Sequence, residues 1–67
     1  MFWEKYFKLG GRFIIRRSDN GQYYFVLRAV NGKVIATSEQ YESKQAAKKG
    51  IASIKSVSVF ARILEEF

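Results

Sequence analysis

Arg12, Arg16 and Arg28 fall at alternate strand positions with Tyr24, so an antiparallel pairing is expected to project all four from one outward sheet face. Guanidiniums interleaved with a ring that stacks on a base are the chemistry of single-strand nucleic-acid binding. Lys44, Lys48 and Lys55 form a second cationic set, within about 40° of one another around a helix. Of the two sets, only the first adds an aromatic ring, and it is expected to contribute more to polyanion binding. The plainer role for both is structural. Arginines rim apolar patches with their stems, and lysines commonly solvate a helix flank.

Catalysis has little to work with. The chain contains no His and no Cys, which removes the commonest general acid–base and the thiol nucleophile. The same absence excludes a thiolate or imidazole zinc site. Glu39 and Glu42 are close together, but acids flanking a helix start are simply favourable near the positive end of its dipole. Asp19 is the sole Asp and sits in a turn, where Asp serves turn geometry. A phosphate-cradling loop needs a glycine-rich strand-to-helix turn, and Ser38–Ser43 holds no glycine. No catalytic residue, metal or cofactor is therefore expected.

The elements that position these side chains are legible in order. Arg12–Arg17 reads as a first strand, followed by Ser18-Asp19-Asn20-Gly21 as a turn. Gln22–Ala29 is a second strand, with Tyr23, Phe25, Leu27 and Ala29 on one face and Tyr24, Val26 and Arg28 on the other. Asn31-Gly32 is a strong hairpin signal, both residues tolerating positive φ, and Lys33–Thr37 returns as a third strand. Ser43 is a good N-cap, and from Lys44 the spacing is helical. Ala47, Gly50, Ile51, Ile54 and Val57 then share the side that faces the sheet. Gly50, unfavourable in a helix interior, implies close approach there. Ala61–Glu66 is expected to form a last strand. The fold class is α+β, a β-β-β-α-β unit with one helix on an antiparallel meander.

The chain is short, with 67 residues, and basic, with 12 Lys and Arg against 6 Asp and Glu, a net charge of +6. Domains of this size usually need a disulfide, a metal or a partner chain to be comfortably stable. With the first two staples unavailable, self-association is the physical expectation. A basic surplus attracts polyanions such as nucleic acid or anionic membrane. It is concentrated in Gly11–Thr37, where five cations meet one acid. Phe2, Trp3, Tyr6, Phe7 and Leu9 make an aromatic N-terminal extension over residues 1–10, ahead of a single domain over 11–67. A membrane-surface anchor is one use for it, but packing in the core or at a dimer contact is the commoner fate of large aromatics. Nothing approaches the roughly 20 apolar residues that span a bilayer, and Glu4, Lys5 and Lys8 interrupt any signal-peptide core. A cytoplasmic protein is the expectation.

The run from Phe13 to Ile54 resembles the YegP-like family, a bacterial and archaeal domain of unknown function. The matching positions are Phe13 and Ile15, Gly21, then Phe25, Leu27 and Ala29. They continue through Asn31-Gly32, Ile35-Ala36, Ser38-Glu39, Tyr41, Ser43-Lys44, Ala47 and Gly50-Ile51-Ala52-Ser53. The resemblance implies two such units, in tandem or on two chains, joined in one sheet with exchanged C-terminal strands. A single-unit member is then a homodimer. It implies no activity, cofactor or binding residue. Three features depart from the family pattern: Ile14, Tyr24 and Val26 on the outward face, Ser56-Val57 where a Lys-Asn pair is common, and the aromatic extension.

The function expected from all this is a small non-enzymatic binding or structural module acting as a homodimer. The alternative is a basic nucleic-acid-associated protein using the Arg/Tyr sheet face or the helix lysines. The first and third departures are linked if the extension covers Ile14, Tyr24 and Val26, because small proteins avoid leaving such a patch open. Deleting residues 1–9 is then expected to lower the melting temperature and raise binding of a dye that reports exposed apolar surface. An unchanged melting temperature and dye signal would show that the segment has no such role.

Overall fold

Both hairpins of the meander are built the same way, and the asparagine–glycine pairs explain how. In the computed structural model, which describes residues 10–67, Ser18 N donates to Gln22 O at 2.8 Å and Gly21 N to Ser18 O at 3.0 Å. The second turn repeats the pattern, with Ala29 N to Lys33 O at 2.8 Å and Gly32 N to Ala29 O at 2.9 Å. In each, the glycine alone takes positive φ, +85° at Gly21 and +86° at Gly32. The asparagines were expected to share that conformation; no described non-glycine residue adopts it. Each works through its side chain instead. Asn20 Oδ1 accepts from Gln22 N at 3.0 Å, and Asn31 Oδ1 from Lys33 N at 3.1 Å. These are three-residue loops closed by a left-handed glycine, with an Asx turn stapling the exit.

The turns set the register of three antiparallel strands, β1 (Arg12–Arg17), β2 (Tyr23–Arg28) and β3 (Val34–Thr37), in that spatial order. Phe13 pairs with Leu27 and Ile15 with Phe25, on one face; Arg12 pairs with Arg28, Ile14 with Val26 and Arg16 with Tyr24, on the other. A register shift lies between Leu27 and Arg28 where β3 joins. After β3 the chain keeps beside β2. Ser38 N donates to Phe25 O at 2.9 Å, Phe25 N donates to Ser38 Oγ at 2.9 Å, and Tyr23 and Tyr41 exchange both backbone bonds.

The helix α1 (Lys44–Ser58) begins where expected, with Ser43 Oγ accepting from Ala46 N at 3.0 Å. An N-cap of this kind contributes about 1 kcal/mol. The helix packs on β2 and β1, and leaves β3 uncovered and exposed along its length. Ala47 is fully buried, and Gly50 and Ile51 are half-buried. Ile54 at 38% and Val57 at 62% exposure are not closed against the sheet as their spacing led us to expect. Among the described residues the buried apolar side chains are Phe25, Val26 and Ala47. The expected coverage of Ile14, Tyr24 and Val26 by residues 1–9 lies outside the described residues, as does the conformation of all but Gly10 in the extension.

The expected last strand is not formed in the single chain. The amides of Phe60 and Ala61 close onto the helix end, and Ala61–Phe67 runs without secondary structure. A strand needs an edge to pair with, and this segment pairs with neither edge of its own sheet. Four of the elements in the β-β-β-α-β reading are therefore present in one chain: three strands and the helix.

Gly50 meets Tyr41. A Cβ at position 50 would overlap the tyrosine hydroxyl and approach its Cζ to 2.8 Å, while the ring is held by Phe25 behind it. Gly50→Ala gains about 1 kcal/mol of helix propensity but forces an overpacking that costs about 1–3 kcal/mol. We expect a net loss near 1 kcal/mol by urea denaturation. In a Tyr41→Ala background the same change is expected to stabilise. Stabilisation in both backgrounds would show that the contact does not constrain the helix.

Candidate functional site

Register decides what the outward sheet face can be. Arg16 stands opposite Tyr24 and Arg12 opposite Arg28, with the Ile14–Val26 pair between them. Two rows of cations are thus separated by about 13 Å along the strands, not gathered into one patch. Arg12 and Arg28 are half-buried, and like charges directly opposite repel. Arg28 turns back on its hairpin, donating from Nη1 to Gly32 O at 2.9 Å, while its Nε is buried without a partner. Tyr24 is half-buried, and Val26 at the centre of the face is only 6% exposed. Arg16 is exposed at one end, beside Arg17, whose guanidinium sits 5.9 Å from the Tyr23 ring centroid.

The helix set is different. Lys44, Lys48 and Lys55 are all exposed on one flank of α1, as their period requires. Lys55 lies in the last turn, where a cation also suits the negative end of the helix dipole. These three are the sequence-derived cations that remain open to a ligand as a group.

A second feature was not read from the sequence. Between α1 and the Ser38–Tyr41 segment lies an open groove of about 450 Å³, lined by Phe25, Ser38, Glu39, Tyr41, Gly50, Ser53 and Ile54. Its floor is aromatic. Phe25 and Tyr41 stack with centroids 5.9 Å apart and planes at 18°, and Phe13 meets Phe25 edge-on at 5.7 Å. The geometry follows from local pairing: the Tyr23–Tyr41 bridge fixes the tyrosine backbone, and glycine at 50 leaves room for its ring. Ser38 Oγ is already engaged, donating to Glu39 O at 2.7 Å while accepting from Phe25 N. Glu39 borders the groove, as do Ser53 and Ile54, and is the one charged residue among those lining it. The sequence carried one usable signal, a helix-interior glycine with an aromatic residue just before the cap, but not their contact.

Among the described residues no three His, Cys, Asp or Glu side chains gather as metal ligands. No helix among the described residues is long and apolar enough to cross a membrane.

The chain matches the DUF1508 family, a domain of unknown function, over residues 18–65. The YegP protein of Yersinia pestis is 50% identical over 48 residues, which are 72% of this chain and 43% of that protein. YegP of Escherichia coli K12 is 50% identical over 50 residues, 75% of this chain and 46% of that one. The chain thus spans less than half the length of these bacterial relatives. A solution structure of a protein from Haloferax volcanii superposes with a TM-score of 0.75 at 33% identity, covering 84% of this chain and 95% of that one. Sequence and meander-plus-helix fold agree: the chain belongs to the DUF1508 family and is a YegP-like protein.

Proposed function

We propose that this chain is a non-enzymatic binding or structural module of the cytoplasm that works as a homodimer, with Ala61–Phe67 exchanged between the two copies. One observation carries the reading: the tail presents Ile63 at 93% exposure, with Leu64 and Phe67 also open, next to a helix whose Ile54 and Val57 are incompletely covered. Apolar surface on this scale is characteristic of an interaction site. The sheet has a complementary need. Its β3 edge is open, Val34 and Ile35 are exposed, and a free edge is a template for another strand. The bacterial relatives, of which this chain spans 43% and 46%, have room for two units in one chain, as the resemblance implies.

If folding and association are linked, stability depends on concentration. A tenfold rise in concentration is then expected to lift the melting temperature by about 5 °C for a domain of this size. Sedimentation equilibrium should give a dimer at micromolar concentration. Removing Ala61–Phe67 should abolish the dimer and unfold the chain, not merely fray its end. A folded monomer with a concentration-independent melting temperature would defeat this reading.

A second reading, nucleic-acid association, is favoured by the exposed flank of Lys44, Lys48 and Lys55 in a chain of net charge +6. Phosphate neutralisation releases counterions, so affinity for mixed-sequence DNA would fall steeply with salt. Changing the three lysines together to Ser is expected to reduce the log–log salt slope by about 2–3. Changing Arg12, Arg16 and Arg28 together should reduce it less, because Arg12 and Arg28 are half-buried. No binding at low salt would end this reading.

A further inference from the structure

We infer that Asn31-Gly32, in the turn between β2 and β3, is a site of spontaneous covalent modification, where loss of ammonia converts the asparagine to isoaspartate and loosens the β3 edge strand. The inference does not depend on the homodimer reading.

The reaction needs only water. The backbone nitrogen of Gly32, once deprotonated, attacks Cγ of Asn31. A new C–N bond closes a succinimide ring, and the side-chain nitrogen leaves as ammonia. Water then opens the ring at either carbonyl, giving aspartate or, with the main chain rerouted through the former side chain, isoaspartate. Glycine hinders the attack least, because it has no Cβ.

The chain offers this pair twice, at Asn20-Gly21 and Asn31-Gly32, and both asparagines are exposed. In each turn the glycine amide is hydrogen-bonded, so the attack waits on local opening. The two turns are not equally held. At the first, Ser18 Oγ lies 2.5 Å from Asn20 Oδ1 and 2.7 Å from Gln40 Oε1, tying the turn to the segment before the helix. Its strands pair along six residues each, with the helix packed on them. At the second, Asn31 has the Lys33 amide as its one side-chain partner among the described residues. The β3 strand is four residues long and exposed throughout, and a register shift adjoins the turn.

Charge acts in the same direction. The attacking amide is anionic, and Arg28 Nη1, 2.9 Å from Gly32 O, brings a positive charge close to it, with Lys33 next in the chain. At the first turn Arg17 lies near Gly21, but Asp19 immediately precedes Asn20 and opposes it. The product then changes the hairpin. Isoaspartate adds a carbon to the backbone of the loop, removes the Asn31 side-chain bond to Lys33, and lowers the net charge from +6 by one. Hairpin register is fixed by turn type and loop length, so β3 loses its alignment on β2 while β1 and β2 keep theirs.

Ageing the full chain at neutral pH tests the site, with isoaspartate located by peptide mass mapping and by labelling with an isoaspartyl methyltransferase. Isoaspartate at Asn31 is expected to accumulate about tenfold faster than at Asn20, through the difference in local opening. In guanidinium chloride, where both turns are unfolded, the two rates should come within about threefold of each other. Isoaspartate absent from Asn31, formed equally at both turns of the folded chain, or favouring Asn31 just as strongly in denaturant, would overturn the selection by the fold. Hydrogen exchange of the isoaspartate fraction, isolated by ion exchange, reads the consequence. The Ala29 amide, which donates to Lys33 O, and the amides of β3 are expected to exchange about tenfold faster or more, with those between β1 and β2 unchanged. Unaltered protection of Ala29 and β3 would show that the modified turn still holds the strand, and would overturn the proposed loosening.

Discussion

The stack of Phe25 and Tyr41 against Gly50 is the contact on which the arrangement of sheet and helix depends. Phe25 lies at the centre of the sheet, buried, with Phe13 edge-on at its side. Tyr41 belongs to the connection between the last strand and the helix, yet its backbone is paired to Tyr23 and its ring to Phe25. The connection is therefore not a free loop. It is held two residues before the Ser43 cap, which fixes where the helix can start. Glycine at 50 then lets the helix come down beside the ring. Removing any one of these constraints would loosen the other two.

The same contact makes the groove. A helix seated over β1 and β2 leaves the third strand bare, and the stacked rings become a floor with Ile54 the one aliphatic side chain beside them. The core of one chain is small, with Phe25, Val26 and Ala47 its buried apolar residues among those described. A partner surface would complete a packing arrangement that one chain begins.

The cations divide by environment. On the sheet, strand register separates the arginines into two rows around an apolar pair whose Val26 is closed from solvent. On the helix, the period of the lysines survives as an exposed flank. A positive potential attracts polyanions in either case, but only in the second set are all three cations exposed.

Local rules carried the sequence reading a long way. Alternation in Tyr23–Arg28, the two asparagine–glycine turns and the Ser43 cap located three strands and a helix to within a residue or two, because each is decided by contacts only a few positions apart. The family was legible for the same reason, through its turn glycines and helix spacing. Tertiary structure alone decided the rest. It showed that the turn asparagines act through side chains, that Glu39 borders a groove, and that Tyr41 is what Gly50 accommodates. It also showed that Ala61–Glu66, strand-like in composition, is no strand in one chain. Propensity describes what a segment favours once paired. Pairing requires an edge at hydrogen-bonding distance, and that is a property of the folded assembly, not of the residues that would join it.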